Sequence, residues 1–195
     1  MTILVTTATT AGSNLSPLIQ EYMEARAFMY GQRQWEDPEK EKAGDKWDRH
    51  AGTIYIFRVR ADKFVAGLRL ITPDASGLLP CDTQFAEAGV TREGPRGEME
   101  LSRAVSPTGM CGAWPLYHAV RNFLLKHEVP SVVAIQLRRY ADDLARRGNA
   151  QFSSERLADD RTLMMKRGGY PFVAVRYRPS ASSVLTRSIA ELVAV

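Results

Sequence analysis

The chain has 195 residues, of which 45% are apolar and 25% are charged. These are ordinary values for a globular protein, and they exclude a disordered or fibrous chain. The 26 basic and 22 acidic residues leave a net charge of +4, which is too small a bias to indicate a nucleic-acid partner. No apolar run reaches the roughly 18 residues of a membrane-spanning helix, so we expect no membrane span.

Only two cysteines, Cys81 and Cys111, are present, and they form no C-x-x-C pair. Their spacing predicts neither a disulfide framework nor a zinc site, and it favours a reducing cytoplasm. The N-terminal residues lack the basic segment and the apolar stretch of a signal peptide. We therefore expect a cytoplasmic protein that holds no metal and no prosthetic group.

The first half of the chain predicts a strand, a helix and a pair of strands. Residues 2–8 are rich in β-branched side chains, which favour a strand. Ser16 and Pro17 are typical of a helix start, with Ser16 as N-cap, and apolar spacing extends this helix to about Gln32. A charged loop or short helix is predicted over 36–50, followed by strands over 53–59 and 64–71.

The second half begins with a segment rich in proline and glycine over 73–97, which predicts a long functional or mobile loop. Strands are then predicted over 99–105, 131–137 and 172–177, with helices over 114–128 and 138–147. Gly148 is a plausible C-terminal cap of the last helix. The order of elements predicts one α/β (α+β) domain over residues 1–195, built as a single mixed sheet flanked by helices.

The strand predicted over 99–105 carries charges at its centre, which is unusual because lone charges are costly to bury in a sheet. On a regular strand Glu100 and Ser102 share one face, and Leu101 and Arg103 share the other. Glu100 and Arg103 therefore reach one site only if the strand twists strongly or contains a bulge. The alternative is an edge strand with one solvated face.

Two further features point to a ligand. Arg69 lies in an otherwise apolar strand, where a buried guanidinium needs a carboxylate partner or a bound anion; alternatively, it faces outward. An aromatic and acidic cluster, Trp35, Asp45, Trp47 and Asp48, lies around the charged loop, and its two carboxylates can hold a ligand's ammonium group; alternatively, the loop is only a solvated one. Because this loop has no core pattern, loss of Trp35 or Asp48 is expected to cost little stability.

Together these residues resemble the acyl-homoserine-lactone synthases, the autoinducer synthases of bacterial quorum sensing. The resemblance covers most of the chain and depends on the order and spacing of short elements. The matching residues are Arg26, Tyr30 and Trp35 in and after the first helix, Asp45, Asp48, Arg69, Phe85, the strand Glu100-Leu101-Ser102-Arg103, and the helix end Arg146-Arg147-Gly148. Tyr30, Met99 and Ala104 depart from the residues common in the family, which indicates a divergent member with a reshaped pocket.

The resemblance implies the acyltransferase fold of the N-acetyltransferases (GNAT-like) and two substrates. These are S-adenosylmethionine and an acyl thioester, on acyl carrier protein or on CoA. The amine of S-adenosylmethionine attacks the thioester carbonyl, and the homoserine carboxylate then displaces methylthioadenosine to close the lactone. Glu100 is the candidate base that removes the ammonium proton, with Arg103 beside it as the second candidate catalytic residue.

The resemblance and the chain order also suggest three sets of contacts. The S-adenosylmethionine set is Arg26, Tyr30, Trp35, Asp45, Asp48, Arg69 and Arg103. The acyl-thioester pocket is Phe85, Leu101, Val105 and Ile135. The set that docks an acidic carrier protein is Arg121, Lys126, Arg138, Arg139, Arg146 and Arg147. The alternative for this last set is solvated helix faces paired with Asp142 and Asp143.

Two other classes of function remain open from the sequence. One is an N-acyltransferase of the same fold that acts on a different amine with acyl-CoA. Such enzymes usually carry a Gln/Arg-x-x-Gly-x-Gly/Ala loop whose backbone N–H groups bind pyrophosphate, and residues 106–113 contain two glycines in a different pattern. The other is a non-catalytic domain that binds a metabolite or an acyl chain.

Overall fold

The computed structural model describes residues 2–8, 17–33, 37–107, 109–147, 151–158, 171–180 and 193–194. The helices in these residues are α1 (Pro17–Gln32), α2 (Pro38–Ala43), α3 (Pro80–Glu87), α4 (Met110–Lys126) and α5 (Arg138–Arg147), with a 3₁₀ helix at Lys46–Arg49. The strands are β1 (Thr2–Thr7), β2 (Thr53–Arg60), β3 (Lys63–Ile71), β4 (Met99–Val105), β5 (Val132–Leu137), β6 (Phe152–Ala158), β7 (Phe172–Pro179) and β8 (Val193–Ala194).

The chain divides into two compact units. Unit 1 comprises Met1–Ile71, Ser102–Val120 and Arg187–Val195, and unit 2 comprises Thr72–Leu101 and Arg121–Thr186. Strand β4 therefore contributes its first three residues to unit 2 and its last four to unit 1.

In unit 1 the strands β1, β2 and β3 pair antiparallel in that order, and β8 pairs parallel with β1. Tyr55 and Phe57 of β2, two residues apart, share one face of the strand and lie in a buried core. Tyr22 of α1 packs into the same core. Arg26 lies one helical turn after Tyr22, so the packing of this face also carries Arg26 inward.

In unit 2 strand β4 pairs parallel with β5, β5 pairs antiparallel with β7, and β7 pairs antiparallel with β6. Strand β5 has partners on both sides, which explains why an almost continuous apolar run encodes it. Cys81 and Phe85 of α3 pack against Val133 of β5. Helix α3 is thus fixed to the unit by its buried face.

The mixed sheet flanked by helices that the sequence predicts is confirmed. The predicted strands at 2–8, 53–59, 64–71, 99–105, 131–137 and 172–177 correspond to β1, β2, β3, β4, β5 and β7, and the three long predicted helices correspond to α1, α4 and α5. Ser16 and Gly148, the predicted caps, lie outside the described residues. The extent of one domain over residues 1–195 stays a prediction.

Three predictions about local structure were wrong. The proline- and glycine-rich segment contains helix α3, because Pro80 is well placed in the first turn of a helix and Cys81 and Phe85 bury one face. Strand β6 was missed because its central residues are polar and exposed, and its pairing with β7 supplies the stabilisation. Helix α4 begins at Met110, four residues earlier than predicted.

Candidate active site

Unit 1 contains a buried cluster of three arginines and three carboxylates, here called the charge cluster. Its members are Arg26 on α1, Glu41 on α2, Asp45 and Asp48 at the 3₁₀ helix, Arg69 on β3 and Arg103 on β4. Its formal charges balance. Balance is required here because an unpaired buried charge costs several kcal/mol.

Arg26 and Asp48 form the deepest pair of the charge cluster. Two guanidinium nitrogens of Arg26 donate to the two carboxylate oxygens of Asp48, at 2.9 and 2.8 Å. Nε of Arg26 also lies 2.6 Å from Glu41 Oε2. Arg26 and Asp48 are each only 1% exposed. This two-point geometry is the strongest form of arginine–carboxylate pairing, and it holds α1 to the 3₁₀ helix.

Arg69 joins the cluster from the apolar strand β3. Its two terminal nitrogens donate to Asp45 at 2.8 Å each, and one of them also donates to Asp48 Oδ1 at 2.6 Å. Its Nε donates to Ser102 Oγ at 3.0 Å. Arg69 is therefore a buried arginine paired with carboxylates, as the first sequence interpretation held, and the outward-facing alternative is wrong.

The spacing of Asp45 and Asp48 explains how a charged loop forms this part of the site. Asp45 Oδ1 accepts from the backbone N–H groups of Trp47 and Asp48, and Asp48 Oδ2 accepts from the backbone N–H of Asp45. This reciprocal arrangement is a capping box, which two side chains three residues apart can form. The carboxylate oxygens of Asp45 also accept hydrogen bonds from Arg69, and those of Asp48 accept from Arg26 and Arg69.

Burial disfavours the ionised form of Asp48, but the hydrogen bonds from Arg26 and the charge of Arg69 outweigh it and hold the pKa of this carboxyl well below its usual range. Tyr55 donates its hydroxyl to the backbone oxygen of Asp48 at 2.8 Å. Both carboxylate oxygens of Asp48 therefore accept hydrogen bonds within the protein. The expectation that its loss costs little stability is wrong. The loop has no apolar core pattern, but buried ion pairs with Arg26 and Arg69 hold it in place.

Two members of the cluster reach solvent. The side chain of Asp45 is 34% exposed and that of Arg103 is 19% exposed, whereas the other four are at most 6% exposed. Arg103 Nη1 lies 3.0 Å from Glu41 Oε1, and its Nη2 lies 3.8 Å from Asp45 Oδ2. The guanidinium also lies 5.5 Å from the ring centre of Tyr30. Asp45 and Arg103 thus present opposite charges side by side, here called the charged rim.

The structure brings together six of the seven residues predicted to bind S-adenosylmethionine. They are Arg26, Tyr30, Asp45, Asp48, Arg69 and Arg103. The seventh, Trp35, lies outside the described residues. Sequence reasoning missed Glu41, since one more glutamate in the charged segment 36–50 gave no signal.

In unit 2 the candidate base Glu100 is buried, with 6% of its surface exposed. Its Oε2 accepts from the backbone N–H of Cys81 in the first turn of α3, at 2.6 Å. Burial and the nearby Glu100 carboxylate raise the pKa of the Cys81 thiol, so this cysteine is an unreactive thiol at neutral pH. The alternative of a solvated face at Glu100 is wrong.

A second buried carboxylate, Glu98, lies two residues before Glu100 and is 1% exposed. It accepts from Arg92 at 2.7 Å, from Nε of Arg176 at 2.5 Å, and from the hydroxyl of Ser131 at 2.7 Å. Sequence reasoning missed Arg92 and Arg176 because arginines distant in sequence carry no sign of a shared partner. These hydrogen bonds hold Glu98, the residue directly before β4, to Arg92, Ser131 and Arg176.

Gly94 lies directly against this network. A Cβ atom added at Gly94 would overlap with Oε2 of Glu98 and crowd the guanidinium groups of Arg92 and Arg176. We expect Gly94→Ala to lower the free energy of unfolding by about 1–3 kcal/mol, the usual range for overpacking a tight site. Urea unfolding measures this, and an unchanged midpoint and slope would contradict the packing described here.

The residues predicted to line the acyl pocket lie in two places. Phe85 is buried in the apolar cluster of unit 2, and Ile135 packs against that cluster. Leu101 is buried as well. Val105 lies in the core of unit 1. A cavity of about 290 Å³ opens in unit 2 beside Phe85, and its lining residues are Phe85, Val90, Thr91, Arg92, Glu93, Glu155, Leu157 and Arg176.

The basic residues predicted to dock a carrier protein differ in how they are engaged. Arg121 donates twice to the backbone oxygen of Ser180, at 3.1 and 2.7 Å, so it has a structural contact. Arg146 is 72% exposed and pairs with Asp143. Asp142 forms an ion pair with Arg156 of β6, with 3.1 Å between Asp142 Oδ1 and Arg156 Nη2. Lys126 and Arg139 are exposed, Arg138 is half-buried, and the side chain of Arg147 lies outside the described residues.

The described part of the chain offers neither a metal site nor a membrane-spanning helix. It holds no group of three or more His, Cys, Asp or Glu side chains that could ligate a metal ion. In the same ranges no helix is both long and apolar enough to cross a membrane.

Comparison with known proteins identifies the fold. No protein-family model and no curated protein sequence matches the chain. BjaI, described as a CoA-dependent acyl-homoserine lactone synthase with SAM and isopentyl-CoA, aligns with a TM-score of 0.69 at 16% identity, over 92% of this chain and 84% of that one. The AHL synthase LasI aligns at 0.68 and 17% identity, over 90% and 88%.

An acyl-CoA N-acyltransferase from Pseudomonas aeruginosa aligns at a TM-score of 0.55 and 14% identity, over 90% of this chain and 99% of that one. The predicted resemblance is therefore confirmed at the level of structure. The chain has the GNAT-like fold of the acyl-homoserine-lactone synthases.

Proposed function

We propose that this protein is an N-acyltransferase that joins the acyl group of an acyl thioester to S-adenosylmethionine and closes the product to an N-acyl-homoserine lactone, releasing methylthioadenosine. The observation that supports this most is the charge cluster. Residues assigned to S-adenosylmethionine by resemblance, which lie far apart in sequence, form one hydrogen-bonded network in unit 1. The shared fold is a second support.

The charged rim suits the amino-acid end of S-adenosylmethionine, which carries an ammonium and a carboxylate on one carbon. Asp45 is the proposed partner of the positive groups, and Arg103 is the proposed partner of the carboxylate. Both are pre-positioned, since Arg69 holds Asp45 and Glu41 holds Arg103. Prior positioning lowers the entropy that binding must offset. Tyr30 and Trp35 are proposed as walls of the same site.

Arg26, Asp48 and Arg69 have a different proposed role. Each is almost fully buried and is hydrogen-bonded within the charge cluster. We assign them to holding the rim in place, so they act on the substrate through Asp45 and Arg103. Their replacement should mainly lower the free energy of unfolding, with a smaller direct effect on the affinity for S-adenosylmethionine.

Glu100 is the proposed general base. The α-ammonium of S-adenosylmethionine must lose a proton before its nitrogen can attack, and a positioned carboxylate can take that proton. The hydrogen bond from the Cys81 N–H, at the positive end of α3, stabilises the charged carboxylate that accepts it. The tether also fixes the direction of the acceptor oxygen.

The proposed reaction has two steps. The free amine forms a C–N bond with the thioester carbonyl, and the C–S bond breaks as the thiolate leaves and takes up a proton. Backbone N–H groups near Phe85 or on β4 are proposed donors to the oxyanion of the first step. In the second step the carboxylate oxygen bonds to the carbon that bears the sulfonium, and that C–S bond breaks to release methylthioadenosine.

The acyl chain is proposed to bind in unit 2, against Phe85, Leu101 and Ile135. The carrier of the thioester is proposed to be an acyl carrier protein, with CoA as the alternative. The exposed residues Lys126, Arg139 and Arg146 support a contact with an acidic partner.

The salt dependence of turnover distinguishes the two carriers. With a carrier-protein thioester, raising the salt concentration from low values to about 0.5 M is expected to lower turnover roughly tenfold, because exposed charges are then screened within a few ångströms. Reversal of Arg146 and Arg147 to glutamate should produce a similar loss at low salt. The same acyl group on a short pantetheine arm is the control, and equal salt sensitivity of both donors would rule out this docking surface.

The decisive test of the proposed function is chemical. The protein is expressed in a heterologous host, and an organic extract is searched by mass spectrometry for N-acyl-homoserine lactones. Thermal shifts with S-adenosylmethionine, methylthioadenosine and acetyl-CoA accompany it. Stabilisation by acetyl-CoA alone, without a lactone, would instead support an N-acyltransferase acting on another amine, and stabilisation by a ligand with no turnover of any thioester would support a binding domain.

A further inference from the structure

Arg103 has an unusual backbone for its position. Its φ angle is +55°, in the left-handed region that non-glycine residues rarely adopt. Among the described non-glycine residues with positive φ, Ala61 and Asp62 form the turn between β2 and β3, and Glu128 follows the end of α4. Arg103 instead lies within strand β4, where such a conformation is unfavourable and persists only when the surrounding structure holds it.

The left-handed residue changes where the side chains of β4 point. On a regular strand neighbouring residues lie on opposite faces. Here Ser102 accepts from Arg69, and Arg103 reaches Glu41 and Asp45, so two consecutive side chains enter the same charge cluster. The irregular backbone at Arg103 is what makes this possible.

Tyr22 of α1 provides the contact that holds this backbone. Its hydroxyl donates to the carbonyl oxygen of Arg103 at 2.7 Å, across 81 residues of sequence. The ring is completely buried, and its centre lies 5.7 Å from that of Tyr55 and 5.6 Å from that of Phe57. A ring packed on several sides holds its hydroxyl in one position. Burial also raises the pKa of Tyr22, so the hydroxyl keeps its proton and remains a donor at neutral pH.

We propose that Tyr22 is a positioning residue for substrate recognition: its hydroxyl holds the left-handed backbone of Arg103 and thereby directs the Arg103 guanidinium to the charged rim. This inference rests on the proposed function, because it takes Arg103 as the partner of the S-adenosylmethionine carboxylate. Tyr22 itself does not touch the substrate. It acts through the backbone of Arg103.

Two ligands separate positioning from a general structural role. S-adenosylmethionine has the carboxylate that Arg103 would bind, and methylthioadenosine lacks it. We expect Tyr22→Phe, which removes one oxygen atom, to weaken S-adenosylmethionine binding about tenfold, the loss of part of a charge-assisted hydrogen bond. Methylthioadenosine binding should change less than twofold. Isothermal titration calorimetry on the full chain measures both.

Three further variants complete the experiment. Tyr177→Phe removes a hydroxyl that accepts from Gln136 in unit 2, and it should leave both affinities unchanged. In an Arg103→Gln background, Tyr22→Phe should cause no further loss of S-adenosylmethionine affinity, because no guanidinium is left to direct. Tyr22→Met, an adaptable apolar side chain without a hydroxyl, replaces Tyr22→Phe if that variant does not fold.

Equal affinity of wild type and Tyr22→Phe for S-adenosylmethionine would overturn the inference. So would an equal loss for both ligands, which would make Tyr22 a structural residue only, or a further loss in the Arg103→Gln background. Failure of the proposed function looks different, since the wild-type protein would then bind neither ligand.

Discussion

Replacing Glu100 with glutamine is expected to lower lactone formation by about 10²–10⁴-fold, the usual contribution of a general base. Glutamine has the same shape as glutamate, and its side-chain oxygen can still accept from the Cys81 N–H. The tether of α3 is therefore kept while the proton acceptor is lost. Steady-state assays of released methylthioadenosine, with calorimetry of S-adenosylmethionine binding, measure the effect.

Glu98→Gln is the matched control for this experiment. Glu98 is a buried carboxylate on the same stretch of chain, but its oxygens are engaged by Arg92, Arg176 and Ser131. Its replacement should lower stability and leave the turnover of the folded fraction within a few-fold of wild type. Near-normal turnover in Glu100→Gln would end the assignment of Glu100 as the base.

Removing the carboxylate of Asp48 is expected to lower the free energy of unfolding by about 3–5 kcal/mol, the cost of breaking a buried ion pair. Asp48→Ala leaves the buried guanidinium groups of Arg26 and Arg69 without their shared carboxylate. The loop 45–48 also loses half of its capping box. Urea unfolding followed by circular dichroism measures the change.

Asp142→Ala is the control for an exposed pair. Asp142 and Arg156 are each about half exposed, so their pair should contribute less than about 1 kcal/mol. If Asp48→Ala were as stable as Asp142→Ala, the charge cluster would not be a structural element.

Trp35→Ala is still expected to raise the Michaelis constant for S-adenosylmethionine with little loss of stability.

Part of the candidate site was predictable from local signals, and the rest of its residues came from the family resemblance. An arginine inside the apolar run of β3 needs a carboxylate or an anion if it is buried, and two aspartates three residues apart place two carboxylates close together. The helical spacing of apolar residues in α1 likewise identifies its buried face, and the almost continuous apolar run of β5 identifies a strand with partners on both sides. Each of these inferences depends on residues within a few positions of one another.

Which members of the charge cluster are buried and which reach solvent was not predictable from the sequence. Arg26, Asp48 and Arg69 are buried, whereas Asp45 and Arg103 reach solvent, and no feature of the sequence separates the two groups. The difference arises because α1, the 3₁₀ helix and β3 pack around the first three side chains. The expectation that loss of Asp48 costs little stability failed for this reason.

The mixed sheet flanked by helices and the position of the charged strand follow from the sequence alone, whereas for Arg69 the sequence leaves a carboxylate partner, a bound anion and an outward-facing side chain open. The pairing of Glu98 with Arg92 and Arg176, and the contact of Tyr22 with the backbone of Arg103, are set by the folded chain. Local patterning specifies which faces are apolar, because it repeats with the period of a helix or a strand. Pairing between distant charges and a left-handed residue within a strand have no period, so packing of the folded chain selects them.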